Sequence, residues 1–267
     1  MERLELAIQI AREAGELTLS YFNNPDLDVE QKKDGTPVTA ADRGAEKYLR
    51  EQISRAFPKD AILGEEFSNQ EGDSGYRWIL DPIDGTKSFI HGVPLYSTLV
   101  GIEKEGEPIA GVIRIPALQE GIYAEQGGGA WWEHPRFPEV RRAHVSQVDS
   151  INEALFLTSE VITFDEMGRR EAYNEIEKKS RLTRTWGDAF GFYLVATGRA
   201  EFIVDPDLSP WDAGPLTTVL EEAGGHYTDW NGSKKMRSSE GIGVNDALFE
   251  DLIAITSRFP KIPSCTK

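Results

Sequence analysis

This sequence of 267 residues is poor in cysteine and in positive charge. Its one cysteine, Cys265, lies near the C-terminal end, which excludes a disulfide within these residues. The sequence holds 45 acidic and 29 basic residues, which gives a formal net charge of −16. Since a field this negative repels nucleic-acid backbones and anionic membranes, we expect neither nucleic acid nor a membrane as a partner.

Long apolar runs are missing as well. No stretch is long and apolar enough for a membrane-spanning helix, and residues 1–8 have the pattern of an amphipathic helix rather than of a signal peptide. We therefore expect a cytoplasmic location. Hydrophobic residues make up 39% and charged residues 28% of the sequence, which is typical of a globular protein with a buried core.

The stretch at residues 78–87, Trp-Ile-Leu-Asp-Pro-Ile-Asp-Gly-Thr-Lys, gives the clearest indication of function. It begins as an apolar run, which predicts a buried strand. It ends in Asp81 and Asp84, with Pro82 between them and Gly85 after them. Proline and glycine favour a turn here, so both acids can be aimed into one space.

A short helix is predicted to start at residues 85–89, and the backbone N–H groups of such a start can bind an anion. Acids for a cation beside amides for an anion are typical of a metal-dependent phosphate site. The net charge strengthens the metal part of this hypothesis. A field this negative repels phosphate unless bound divalent cations invert the local sign.

The whole sequence predicts alternating helices and strands, which indicates stacked layers of helices and sheets. In the first half we expect helices at 2–22 and 39–57 and strands at 61–63, 76–80, 97–103, 109–115 and 121–124. In the second half we expect strands at 155–157, 201–204 and 241–244 and helices at 165–179, 188–198, 209–223 and 246–257. We place a domain boundary near Asp149, between an N-terminal α+β half of residues 1–149, with most candidate metal ligands, and a C-terminal α/β half of residues 150–267.

Acidic residues elsewhere in the sequence are further candidates, and each has an ordinary structural explanation. Asp42 and Asp212 fit the last positions of capping boxes opened by Thr39 and Ser209. Glu65, in a Gly-Glu-Glu run after a predicted strand, fits a solvated loop acid. Taken singly, these residues indicate no function.

Their joint occurrence favours a metal site. Glu65, Asp81, Asp84 and Asp212 each lie at a strand end or a helix start, and the Ile83 carbonyl is a further oxygen donor. Hard divalent cations prefer several carboxylate oxygens together with a backbone carbonyl. Two such cations roughly 3.5–4 Å apart can hold an attacking water and a leaving oxygen together.

Five short motifs occur in an order that is typical of one known family. They are Val-Thr-Ala-Ala-Asp at 38–42, Gly-Glu-Glu at 64–66, Asp-Pro-Ile-Asp-Gly-Thr at 81–86, Trp-Asp-Ala-Gly at 211–214 and Glu-Ala-Gly-Gly at 222–225. In this order the chain resembles the inositol monophosphatase family of Mg²⁺-dependent phosphomonoesterases along nearly its whole length. The resemblance implies an α/β (α+β) fold, a layered α-β-α-β-α sandwich with the site between its two halves, and a homodimer.

The resemblance also implies the roles of the site residues. The metal ligands for two or three Mg²⁺ ions would be Glu65, Asp81, Asp84 and Asp212, with the Ile83 carbonyl assisting. Backbone N–H groups of Gly85 and Thr86 would hold the phosphate, while the Thr86 hydroxyl and Glu65 orient and activate the attacking water. Asp42 would support Thr86 or a metal-bound water. The lack of a catalytic cysteine or of a plausible Ser-His pair agrees with direct attack by water.

Two more acids bear on the leaving group. Asp188 fits a helix N-cap and Asp205 fits a strand end before proline, but either can also face the substrate beyond its phosphate. An added carboxylate favours a cationic amine or imidazole over a neutral polyol. Residues 84–89, 184–188 and 205–209 look closer to the histidinol-phosphate phosphatase branch of the family than to the inositol branch. This implies L-histidinol phosphate as substrate, a step in histidine biosynthesis, and Asp188 and Asp205 as substrate-binding residues.

Other interpretations stay open at this point. A phosphatase of the same family could act on inositol 1-phosphate or on a 3′-phosphoadenosine compound, and a non-catalytic relative could bind a phosphorylated metabolite. The intact acids argue against the last of these, because a binding protein has no need of a water-activating pair. Pro215 favours a kink after Asp212. Lys32 or Lys33 either approaches the phosphate or stays on the surface.

Overall fold

The structure is a computed structural model that describes residues 2–32, 35–234 and 239–260. Within these residues it has two large β-sheets, separated and flanked by helices, and a small two-stranded sheet. The first half contains α1 (Glu2–Leu19), β1 (Val29–Gln31), β2 (Pro37–Thr39), α2 (Ala40–Ala56), β3 (Ala61–Gly64), β4 (Tyr76–Asp84), α3 (Thr86–Ile90), β5 (Ser97–Lys104), β6 (Glu107–Ile115), β7 (Glu120–Glu125), β8 (Gly129–Glu133) and β9 (Arg141–Arg142). The second half contains β10 (Leu155–Leu157), α4 (Val161–Glu166), α5 (Arg170–Lys179), β11 (Leu182–Arg184), α6 (Asp188–Ala196), β12 (Phe202–Asp205), α7 (Pro210–Ala213), α8 (Leu216–Glu222), β13 (Gly225–Thr228), β14 (Gly241–Asn245) and α9 (Phe249–Thr256).

The strands of the larger sheet follow their order in the chain, whereas those of the smaller sheet do not. Within the described residues the larger sheet has seven strands in the order β3-β4-β5-β6-β7-β8-β9, and β3–β4 is its parallel pair. The smaller sheet, counted over the same residues, has five strands in the order β11-β10-β12-β14-β13, with β10 parallel to both of its neighbours. Strands β1 and β2 form a separate antiparallel hairpin.

Apolar side chains on both faces of each sheet determine the layers. Helices α1 and α2 pack on one face of the larger sheet, around Trp78 and Leu80. Helices α6 and α8 fill the space between the two sheets, and α4, α5 and α9 cover the outer face of the smaller sheet. The layers therefore follow the order α-β-α-β-α, which confirms the predicted fold. Because α6 and α8 pack on both sheets, the two halves share a core, and the boundary near Asp149 stays a prediction.

Some predicted elements are divided or missing. The helix expected at 165–179 is two helices, because Gly168 adopts a left-handed φ of 69° and Arg169 turns into the core. The helix expected at 209–223 breaks between α7 and α8, where Pro215 favoured a kink. Strands β1, β2, β9, β11 and β13 were not predicted, since elements of two to four residues are too short to show alternation.

Two paired glycines explain how the chain accommodates Pro215. Gly101 on β5 lies opposite Gly111 on β6, and we call this pair the glycine platform. A Cβ on Gly101 would lie 2.6 Å from the carbonyl carbon of Gly214, and a Cβ on Gly111 would lie 2.4 Å from the carbonyl oxygen of Pro215. The break between α7 and α8 therefore rests directly on the sheet backbone, which places the acid of α7 at the end of β4.

The platform predicts a stability cost for any side chain on it. Gly111→Ala forces a methyl group against backbone that cannot rotate away, so we expect a loss of about 1–3 kcal/mol in the free energy of unfolding. Denaturant titration measures this loss. Gly44→Ala is the matched control, because Gly44 is an exposed residue of α2 with open space around it, and there we expect a gain of up to about 1 kcal/mol. Equal stability of the two variants would contradict the close packing.

Candidate metal and phosphate site

The end of β4 carries the first two acids of the site. The pairing of β4 with β5 shifts register between Asp81 and Asp84, and such an irregularity re-aims side chains at the end of a strand. One Asp81 oxygen accepts a hydrogen bond from the Ile83 N–H at 3.0 Å. One Asp84 oxygen accepts from the Ser97 hydroxyl at 2.7 Å and from the Ala189 N–H of α6 at 2.8 Å. Both carboxylates are buried, and these hydrogen bonds fix their orientation.

Asp212 reaches the same place from the second half of the chain. It ends a capping box in which the Ser209 N–H donates to Asp212 Oδ2 at 2.8 Å, with Pro210 at the first helical position. The capping interpretation is therefore correct. It also agrees with the metal interpretation. Although Oδ2 accepts the capping bond, Asp212 and Asp81 both line one cavity, so the carboxylate of Asp212 lies at the candidate metal site.

Carboxylates from the two halves lie close enough to share a cation. Among the described residues, an oxygen from each of Asp81, Asp84 and Asp212 lies within 4.8 Å of the others. Burial raises the pKa of Asp81 and of Asp84 well above the usual range, and repulsion by neighbouring carboxylates adds to this. Burial, with the charges of Glu65 and Asp188, raises the pKa of Asp212 to about 7. A buried all-oxygen cluster of this kind lacks positive charge and fits a hard divalent cation.

Glu65 lines the same cavity from the neighbouring strand. It follows β3, and its N–H donates to the Leu80 carbonyl of β4 at 3.2 Å. Lys32, from the β1–β2 hairpin, donates to Glu65 at 2.5 Å and to Glu66 at 2.6 Å. Of the two lysines considered from the sequence, Lys32 therefore lies beside the site, while Lys33 is outside the described residues.

The turn between β4 and α3 has the geometry expected of an anion cradle. Gly85 caps α3 with a left-handed φ of 80°, a conformation that favours glycine. The Thr86 hydroxyl donates to the Ile83 carbonyl at 3.0 Å, which braces the turn. Gly85 and Thr86 both line the cavity next to Asp84. The first N–H groups of a helix have no partner within it, so this turn can present amides to a phosphate.

Asp42 lies apart from the residues that line this cavity. Its Oδ2 accepts from the Thr39 N–H at 2.7 Å and from the Thr39 hydroxyl at 2.6 Å, in the predicted capping box of α2. Burial raises the pKa of Asp42. The Thr86 hydroxyl is bonded to the Ile83 carbonyl instead, so support of Thr86 by Asp42 stays a prediction.

Asp188 lies against the phosphate turn. Gly187 is the N-cap of α6 and Asp188 is its first residue, so the N-cap interpretation of Asp188 is wrong. Its φ of 53° is left-handed, and one carboxylate oxygen lies 2.9 Å from the position that a Cβ on Gly85 would take. Burial, followed by the charges of Asp205 and Glu160, raises the pKa of Asp188 to about 6. This acid is therefore placed beside the predicted phosphate position.

Asp205 is buried behind Asp188. It accepts hydrogen bonds from the Thr158 hydroxyl at 2.9 Å, from the Ser159 N–H at 2.8 Å and from the Ser159 hydroxyl at 2.7 Å. The Ser159 oxygen in turn accepts from the Asp188 N–H at 2.7 Å. Asp205 is absent from the lining of the cavity that Asp188 and Asp212 share with the phosphate turn, and it lines a neighbouring cavity. Through Ser159, it orients the backbone of Asp188.

The cavity that the acids, the turn and Asp188 line together has a volume of about 340 Å³. It also contains residues that sequence reasoning missed: Thr36, Pro37, Lys87, Ser88, Ser159, Glu160, Thr185 and Trp211. For Ser159 and Glu160 a signal was present, since they lie two and three residues after the predicted strand at 155–157. Ligands of layered α/β proteins commonly bind just beyond the ends of strands.

Comparisons with known proteins agree with this geometry. The inositol monophosphatase family matches residues 1–260. Proteins named histidinol-phosphatase from Chlorobaculum parvum and Streptomyces coelicolor are 42% and 35% identical, over 94% and 95% of this chain and 95% and 96% of their own lengths. A crystal structure of extragenic suppressor protein suhB from Bartonella henselae has a TM-score of 0.87 at 28% identity, covering 97% of this chain and 100% of that one. Sequence, fold and site together show that this chain belongs to the inositol monophosphatase family.

Proposed function

We propose that this chain is a Mg²⁺-dependent enzyme that hydrolyses L-histidinol phosphate to L-histidinol and phosphate in histidine biosynthesis. Family membership makes it a metal-dependent phosphoric monoester hydrolase. The choice of substrate rests above all on Asp188, an acid held against the phosphate turn. The similarity to proteins named histidinol-phosphatase supports the same choice.

The proposed metal site uses oxygen atoms only. Its ligands are Glu65, Asp81, Asp84 and Asp212, with the Ile83 carbonyl, for two or three Mg²⁺ ions. When bound, Mg²⁺ supplies Lewis-acid stabilisation of the reacting phosphate and lowers the pKa of water. The buried carboxylates provide the negative charge that a hard cation requires.

In this proposal the turn after β4 binds the phosphate and prepares the water. The N–H groups of Gly85 and Thr86 donate to phosphate oxygens. The Thr86 hydroxyl orients the water, and Glu65 accepts its proton as the water oxygen bonds to phosphorus. The ester P–O bond breaks, and the leaving oxygen takes up a proton from solvent water to give the alcohol. Asp42, whose Oδ1 has no partner within the described part of the chain, supports Thr86 or a bound water.

The leaving group decides between substrates. Histidinol phosphate carries an amine and an imidazole, and cationic groups gain more from a carboxylate than neutral hydroxyls do. Asp188 offers this carboxylate, and Asp205 orients it through Ser159. Inositol 1-phosphate is the alternative, since a protein from Thermotoga maritima named fructose-1,6-bisphosphatase/inositol-1-monophosphatase is 32% identical over 94% of this chain and 94% of its own length.

With Mg²⁺, the wild-type enzyme is expected to prefer histidinol phosphate over inositol 1-phosphate and over a 3′-phosphoadenosine compound. The preference in kcat/KM should be at least about tenfold, since each charge-assisted hydrogen bond contributes about 1.5–3 kcal/mol. Asp188→Asn should remove most of this preference. Asparagine tolerates a left-handed φ, so the backbone at 188 is retained. Phosphate release from each substrate measures both effects.

The control substrate is para-nitrophenyl phosphate, which has no cationic group and should be turned over equally by both enzymes. Equal losses on this ester and on histidinol phosphate would mean that Asp188 acts on the fold or on the metal site instead. Release from inositol 1-phosphate alone would contradict the proposed substrate. No release from any ester would favour a non-catalytic, metabolite-binding protein.

We further propose a homodimer located in the cytoplasm. No helix in the described part of the chain is long and apolar enough to cross a membrane. Trp132 is partly buried and its indole donates to the Tyr193 hydroxyl at 2.6 Å, whereas Trp131 is 37% exposed and available to an interface. Light scattering on the purified protein is expected to give about twice the chain mass of 29.8 kDa. A mass equal to one chain would contradict the dimer.

A further inference from the structure

An ion pair between Lys87 and Glu160 spans the mouth of the cavity. Lys87 belongs to the first turn of α3, directly after the phosphate turn, and Glu160 precedes α4 in the other half of the chain. The Lys87 ammonium donates to a Glu160 carboxylate oxygen, and both residues line the cavity. Their side chains are 63% and 39% exposed, so both partners can be reached by a ligand from solvent.

Glu160 is held in position by the residues around it. Ser159, immediately before it, is bonded to Asp205 through both its N–H and its hydroxyl, at 2.8 Å and 2.7 Å. The Thr163 hydroxyl donates to the backbone carbonyl of Glu160. The backbone that carries this carboxylate is therefore fixed relative to Asp188, which Ser159 also holds. A group that is fixed before binding loses little conformational freedom when a ligand arrives.

The charges in this part of the cavity are unbalanced. After burial and Asp205, the charge of Glu160 is the next cause that raises the pKa of Asp188, while Lys87 acts in the opposite direction. Of the described residues that line the cavity, Lys87 is the one with a basic side chain. If Lys87 turns to the phosphate, no other basic side chain among the described lining residues balances the charges of Glu160 and Asp188.

We infer that Glu160 is a specificity-determining residue, which releases Lys87 to the substrate phosphate and accepts a hydrogen bond from the substrate ammonium. A phosphate ester that carries an ammonium replaces both partners of the Lys87–Glu160 pair. A neutral polyol phosphate replaces only Lys87's partner and offers no cationic donor to the Glu160 carboxylate, so it gains one charge-assisted hydrogen bond fewer than the ammonium ester does. This inference rests on the proposed function and adds to it the residue that recognises the amine.

Steady-state kinetics of Glu160→Gln test this inference with two esters. One is histidinol phosphate, and the other is imidazolylpropyl phosphate, which keeps the phosphate and the imidazole but lacks the amine. For histidinol phosphate we expect KM to rise about tenfold with kcat unchanged, because the ammonium contact is the same in the ground state and the transition state. For the ester without the amine we expect KM to fall, because its phosphate no longer has to draw Lys87 away from the Glu160 carboxylate.

Two further variants separate recognition from structure. Glu160→Asp keeps the charge and should recover part of the affinity for histidinol phosphate. Glu166→Gln removes an exposed acid of α4 outside the cavity and should leave both esters unaffected. An equal rise in KM for both esters, or no rise for either, would overturn the proposed role of Glu160. Neither result would contradict the proposed function. If the wild-type enzyme hydrolyses inositol 1-phosphate and not histidinol phosphate, the proposed function fails first, and this inference falls with it.

Discussion

The burial of several carboxylates around one cavity is the constraint on which the rest of this structure depends. Asp81, Asp84 and Asp212 come from two halves of the chain and lie within reach of one cation. Like charges in a poorly solvated place repel one another, so the cluster weakens the fold in the absence of a cation. Proteins commonly give up stability of this kind at the site where they act.

Separate local structures hold each acid against this repulsion. The irregular end of β4 fixes Asp81 and Asp84, and the capping box of α7 fixes Asp212. The glycine platform allows α7 to approach the sheet closely, and α6 contributes the Ala189 N–H to Asp84. The middle layer of helices therefore joins both halves at the site. The same layer carries Asp188, so the proposed metal binding and the proposed substrate recognition depend on one interface.

Features that depend on neighbouring residues could be predicted from the sequence. The capping box at Thr39 and Asp42 and the break at Pro215 follow from spacing and from the chemistry of proline. The layered fold followed from the resemblance to the family, and the comparisons confirm it. Periodicity supplied the elements, but it did not supply the way in which the layers are stacked.

Contacts between distant segments could not be predicted. Asp205 was expected to face the substrate, yet its hydrogen bonds go to Thr158 and Ser159, more than 40 residues earlier in the chain. The left-handed φ of Asp188 comes from tertiary packing and cannot be derived from an ordinary helix-start pattern. The Lys32–Glu65 and Lys87–Glu160 pairs likewise depend on how hairpin, turn and loop meet in space.

Thermal melting with and without Mg²⁺ tests the central claim most directly, with wild-type protein compared to Asp84→Asn. Without divalent cations, the variant is predicted to melt a few degrees higher, because it removes one of the mutually repelling charges. Mg²⁺ should raise the melting temperature of the wild type and leave that of the variant nearly unchanged. Asp73→Asn, an exposed loop acid, should behave as wild type. The account would be contradicted if Mg²⁺ left the melting temperature of the wild type unchanged, or if it raised that of Asp84→Asn by as much as that of the wild type.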